Sequence, residues 1–154
     1  MDSYSLLKSL HVLGVVLFIG NIIITGWWKV MADRTRDPRI VAFAQRQVTL
    51  TDWVFTLGGV VLVMVGGPGN ALMHGIPLTT SWLLIGNGLF TASGLVWLAI
   101  LVPLQIKLGR MAQAFADADA IPENYWLPER LWLWFGVLAT VLPLAVIPVM
   151  VFKP

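Results

Sequence analysis

The sequence predicts an all-α, polytopic membrane protein: a four-transmembrane-helix bundle with its N and C termini outside. Three observations carry that prediction. First, 58% of the 154 residues are hydrophobic and only 12% charged, with 8 tryptophans and a mean hydropathy of +0.82, whereas about a quarter of a soluble domain is charged. Second, uncharged apolar runs at 9–28, 53–73, 81–106 and 131–152 each reach the roughly 18 residues that cross a bilayer. Third, every Lys and Arg except Lys8 and Lys153 falls in the connections 29–52 and 107–130, which the positive-inside bias assigns to the cytoplasm. This composition excludes a soluble globular chain and a disordered one. The lack of cysteine removes disulfides, thiolate metal sites, iron–sulfur clusters and cysteine nucleophiles. The net charge of +2 reads as membrane orientation, not as nucleic-acid binding.

The chain is expected to form a single transmembrane domain over 1–154. Its opening Met-Asp-Ser-Tyr-Ser has no basic n-region, and the first run is too long for a signal h-region, so span one is expected to be retained. In the first charged connection, Pro38 precedes Val41, Phe43, Ala44 and Val48, with Arg39, Gln45, Arg46 and Gln47 between them. That pattern fits a short amphipathic helix at the inner interface or a cytoplasmic extension of span two. Asp52, after Thr51, reads as a helix cap. The uncharged Gly67-Pro68-Gly69-Asn70 reads as a turn leading into a short outer loop over 71–80. The second charged connection, with Asp117, Asp119, Glu123, Glu129, Pro122 and Pro128, reads as a solvated turn, and Tyr125, Trp126, Trp132 and Trp134 as interfacial anchors.

Small and polar residues recur at three- and four-residue steps in every span. Span one shows His11, Gly14, Phe18, Asn21, Thr25 and Trp28, and span two Asp52, Thr56, Gly59, Val63, Gly66 and Asn70. Span three shows Asn87, Thr91, Gly94, Leu98, Leu101 and Gln105; span four Gly136, Thr140, Pro143, Ile147 and Met150. Four such stripes predict four helices around a common interior, either as a packing device alone or as the lining of a site. Asn21, Thr25, Asp52 and Thr56 are expected to meet near the inner face.

His11 is the one ionisable side chain inside any run. By helical rise it lies about one and a half turns below the outer surface, level with Gly66, Gly67, Gly86 to Gly88 and Pro143 to Ile147. Glycines on several helices can leave a flat slot for a planar ligand, and neutral imidazole is a good axial ligand for haem iron. His74 in the outer loop or Met150 near the outer face would supply the opposite ligand. The candidate cofactor site is therefore His11, His74, Met150, Gly14, Gly66 and Asn87, with His11 and His74 as metal ligands and haem b as cofactor. The alternative is that His11 only hydrogen-bonds a neighbouring helix, for example through Asn87, and that His74 is solvated.

The opening Leu7-Lys8-Ser9-Leu10-His11-Val12-Leu13-Gly14, with Phe18-Ile19-Gly20, Trp28-Lys29, Ala32-Asp33-Arg34-Thr35, Ala42-Phe43-Ala44-Gln45-Arg46-Gln47 and Thr51-Asp52, resembles a family of small bacterial inner-membrane proteins of unknown function. More distantly, the Lys-x-Leu-His start of span one is similar to HemJ-type protoporphyrinogen oxidases and CopD-type membrane domains. Those resemblances imply a four-helix module whose first-span histidine is tied to haem or metal. The HemJ type begins span three with tryptophan, then a histidine and a lysine; the matching stretch here reads Trp82-Leu83-Leu84-Ile85-Gly86. The resemblance thus carries over His11 alone.

Three functions follow as expectations. The first is a bacterial inner-membrane haem protein, a candidate oxidoreductase, that moves electrons between a quinone and a redox protein partner. The second is a non-catalytic accessory or assembly subunit, as a homo-oligomer or within a larger membrane complex, in which the stripes are interfaces. The third, a small-solute transporter, is disfavoured by the absence of an inverted repeat and of a charged pore ring.

Overall fold

A computed structural model describes residues 3–154. It is helical, with four helices long and apolar enough to cross a membrane and no strand among the described residues. Helix α1 is Ser3–Thr35, α2 Pro38–Met73, α3 Ser81–Phe115 and α4 Trp126–Phe152. Each outruns its apolar stretch at the end opposite the termini. There α1 stops at Arg36 in the left-handed region (φ 55°), and α2 restarts at once. The Asp37 carboxylate accepts from the Arg39 and Ile40 amides, with Pro38 in the first helical turn.

The segment after Pro38 is an extension of α2, not a separate helix lying in the interface. Its Val41, Gln45 and Val48 are buried, and Val41 and Val48 share one core with Leu108, Ala112 and Phe115 of α3. The second connection is correspondingly short, because α3 runs to Phe115. The expected turn at Gly67 to Asn70 is also corrected: α2 passes through Pro68 and ends at Met73. Proline forfeits one backbone hydrogen bond, which membrane helices tolerate when neighbours pack closely. The chain turns instead at Gly75, where φ is +64°.

The helices form two tight pairs, α1 with α2 and α3 with α4. The α1–α2 seam depends on glycine. A Cβ on Gly59 would lie 2.8 Å from the Gly14 carbonyl oxygen and the Phe18 amide nitrogen, and one on Gly66 2.7 Å from the Leu7 oxygen and the His11 nitrogen. Small residues let backbones approach where no hydrophobic drive exists. The two pairs meet at the loop end, where α2 before Thr56 packs on α3 after Trp97 around Val41, Val48, Leu101, Leu108, Phe115, Tyr125 and Trp132. Towards the termini the close contacts stay within each pair. Space is left between the pairs.

Two π-helical turns, Asp52–Thr56 in α2 and Trp97–Leu101 in α3, shift which residues face inwards. The stripe of span three is thereby corrected: Leu83, Gly86, Ser93, Leu101 and Gln105 are buried, while Thr91 and Leu98 are exposed. Trp28 also faces outwards. Tyr125 and Trp132 are not interfacial anchors. At 0% and 7% exposure they are core, whereas Trp134, at 72%, faces outwards.

The glycine seam predicts that Gly59→Val costs about 1–3 kcal/mol through overpacking, lowering the midpoint of thermal unfolding followed by circular dichroism in detergent. Gly20→Val, whose Cβ meets nothing within 4 Å, should leave that midpoint nearly unchanged.

Candidate functional site

The gap between the helix pairs contains two cavities, separated by an edge-to-face contact of Phe18 with Phe90 (ring centroids 5.7 Å apart) that borders both. The cavity on the terminus side, of about 560 Å³, brings together His11, His74, Asn87 and Met150, with Gly67, Trp82 and Lys153 at its walls. Four of the six residues expected at a cofactor site thus face one space. Gly14 and Gly66 are in the helix seam beside it, backing His11 rather than lining the cavity.

His11 is held where it is by α2. Its Nδ1 lies 3.1 Å from the Val63 carbonyl oxygen, and Gly67 makes room for the ring, since a Cβ there would come 3.0 Å from Cε1 and Nδ1. His74 is oriented in the same manner, with Nδ1 2.9 Å from the Asn70 carbonyl oxygen and the ring 4.3 Å from that of Tyr4. A carbonyl oxygen can only accept, so in both rings Nδ1 carries a proton, and in the neutral ring Nε2 presents a lone pair. Among the described residues neither Nε2 has a hydrogen-bond partner. Val63, not Asn87, is therefore the neighbour that His11 bonds. Near them the Asn70 Oδ1 is buried without a partner, and the Met150 methyl rests on Gly86, where a Cβ would collide with it. Lys8 and Lys153 stand over the rings of Tyr4 and Trp82, at 5.7 and 5.2 Å. No three His, Asp or Glu side chains converge as a metal cage among the described residues.

The cavity offers imidazole, thioether and aromatic side chains, the donor types a haem would use. Both Nε2 atoms are without a partner, the orienting bond from the other ring nitrogen to a carbonyl is the usual support for a ligating histidine, and Lys153 borders the cavity as a cation for a carboxylate. His11 and His74 would hold the iron, with Met150 a soft thioether in the same cavity.

The second cavity, of about 320 Å³, lies towards the loop end and is bordered by Asp52. Asp52 is not a helix cap, because α2 is continuous through it; it opens the π turn and is buried. As the stripes suggest, it meets the polar residues of α1. Its Oδ1 accepts from Asn21 Nδ2 (3.2 Å) and Thr56 Oγ1 (2.9 Å), and its Oδ2 accepts from Gln105 Nε2 (3.1 Å). Thr25 turns away, donating to the Asn21 carbonyl at 2.6 Å.

Sequence reasoning missed a third polar group, at the loop end. Lys29, with 0% exposure, donates to both Asp33 oxygens (2.6 and 2.7 Å) and pairs with Glu129 Oε1 on α4 at 3.0 Å. Its Nζ lies 5.5 Å from the Tyr125 ring centroid. Gln45 Nε2 and Oε1, the Tyr125 hydroxyl and Glu129 Oε2 are buried without partners in the same half of the bundle, a pattern that internal water satisfies. The available signal was Lys29 itself, one helical turn beyond Thr25 and in phase with the span-one stripe. Lys29→Met leaves Glu129 buried without its cation, so the variant should lose about 3–5 kcal/mol, measured as a lowered thermal midpoint in detergent. Lys29→Arg, which keeps the charge, should lose less.

No curated protein and no solved structure matches this chain. A family model described as predicted integral membrane protein (DUF2269) matches residues 5–154. Coverage from the start of α1 to the last residue makes the chain a member of that family of integral membrane proteins.

Proposed function

We propose that this protein is a haem-b-binding, multi-pass protein of a bacterial inner membrane, acting in electron transfer or in porphyrin or quinone redox chemistry as a membrane oxidoreductase. The observation that carries the reading is the pair of histidines in one cavity, each with Nδ1–H committed to a backbone carbonyl and Nε2 uncommitted. A bound haem supplies one-electron chemistry at iron. This chain's part is to hold and orient it: His11 and His74 as ligands, Tyr4 and Trp82 as aromatic walls, Lys8 and Lys153 as counter-charges for propionates. The excess of Lys and Arg on the connections 29–52 and 107–130 supports an orientation with this cavity outside. A quinone and a redox protein are the proposed electron partners.

The test is an absorption spectrum, oxidised and dithionite-reduced, of protein expressed with ample haem and purified in mild detergent. The reading predicts a Soret band with sharp reduced α and β bands, lost in His11→Ala. His74→Ala should retain haem but shift it from a six-coordinate to a five-coordinate spectrum. A colourless wild-type protein would overturn the haem reading and leave that of an accessory or assembly subunit.

A further inference from the structure

The cavity beside Asp52 is built differently from the one beside His11, and three features define what fits it. Its borders include half-exposed apolar residues of α1 and α4. Among its borders Ile23, Val137 and Val141 are 48%, 48% and 54% exposed on the apolar outer surface of the bundle, so a ligand reaches it from the hydrocarbon phase and must be lipid-soluble. Its walls are mostly aliphatic and small side chains, but four aromatic rings, Phe18, Phe90, Trp97 and Trp132, stand among them and offer a flat ring faces to pack against. Its volume, about 320 Å³, is at the lower end of the roughly 300–1,000 Å³ typical of small-molecule sites.

The polar groups left over specify the head of that ligand. Asp52 Oδ2 accepts one hydrogen bond, from Gln105, and retains acceptor capacity. The indole N–H of Trp97, which borders the same cavity, is buried without a hydrogen-bond partner. The hydroxyls at the border are already spent: Thr56 donates to Asp52 itself, Thr25 to the Asn21 carbonyl, Ser93 to the Ala139 carbonyl at 2.7 Å and Thr140 to that of Gly136 at 2.7 Å. What remains on the border of this cavity is one acceptor, on Asp52, and one donor, on Trp97. A hydroxyl on an aromatic ring satisfies both, donating to the carboxylate and accepting from the indole. Both π-helical turns end in this place, and such turns often mark functional sites.

We propose that this lateral cavity binds the hydroquinone head of a membrane-soluble quinol, with Asp52 and Trp97 as its polar contacts. The choice of a quinol rests on the redox reading above, but the site itself does not.

Gly136 and Gly94 border the cavity, and a Cβ on either meets nothing within 4 Å. Gly136→Leu therefore fills the space without a clash at its first atom. Decylubiquinol is titrated calorimetrically, under anaerobic conditions, into the full chain in detergent, with decanol as a ring-free control carrying the same tail. The expected result is saturable, one-to-one binding of decylubiquinol and none of decanol. Gly136→Leu should weaken it at least tenfold, as should Asp52→Asn. Gly109→Leu, another glycine with open surroundings but away from both cavities, should change it less than twofold. Undiminished binding in a Gly136→Leu protein of native helicity, equal binding of decanol, or no saturable binding by the wild type would overturn the proposal. The titration needs no haem. Saturable binding to a colourless protein therefore keeps this site while the haem reading falls, and a Soret band without binding does the reverse.

Discussion

The two helix pairs are joined across the bundle by buried polar links, Lys29 to Glu129 and Asp52 to Gln105, and the rest of the architecture depends on where those links fall. In lipid, apolar side chains gain nothing by leaving hydrocarbon for one another, so helices associate by close packing and by polar bonds. Within the α1–α2 pair, Gly14, Gly59 and Gly66 supply the close packing. Between pairs, the polar links work together with the core around Leu108, Phe115 and Tyr125. Both lie towards the loop end. The opposite half is left without comparable contacts, and there the space between the pairs opens.

That asymmetry converts a packing problem into two chemically distinct spaces. Phe18 and Phe90 touch across the gap and separate them. One holds two imidazoles whose orienting bonds are made to backbone carbonyls; the other holds a carboxylate tethered by three side-chain donors. Under the proposed function, the first would seat a haem towards the terminus end and the second a quinol head deeper in the bundle, reached from the lipid.

Much of this was legible in the amino-acid order because the bilayer imposes a simple rule on it. Uncharged runs gave the helices, a lone intramembrane histidine marked the cavity, and the meeting of Asn21 with Asp52 and Thr56 followed from helical spacing. Other features were hidden for definite physical reasons. A π turn leaves no residue signature, so the inward phase of α3 slipped by one position at Ser93. Lys29 at a span edge reads equally well as a topology charge; only the approach of Glu129, from a distant helix, reveals an ion pair. Tyr125 and Trp132 have the composition of an interfacial belt, and burial alone distinguishes them from it. Gly67-Pro68-Gly69-Asn70 carries turn chemistry that the contact with α1 overrides.

The central claim is that α2 holds both histidines as Nδ1–H tautomers with Nε2 open to one cavity. Nitrogen-15 NMR of histidine-labelled, haem-free protein in detergent at neutral pH measures this directly. The account predicts that both rings give a protonated, pyrrole-type Nδ1 and an unprotonated, pyridine-type Nε2 signal, unlike free histidine, which exchanges between forms. A proton on Nε2 of His11, or free-histidine averaging at both rings, would contradict it.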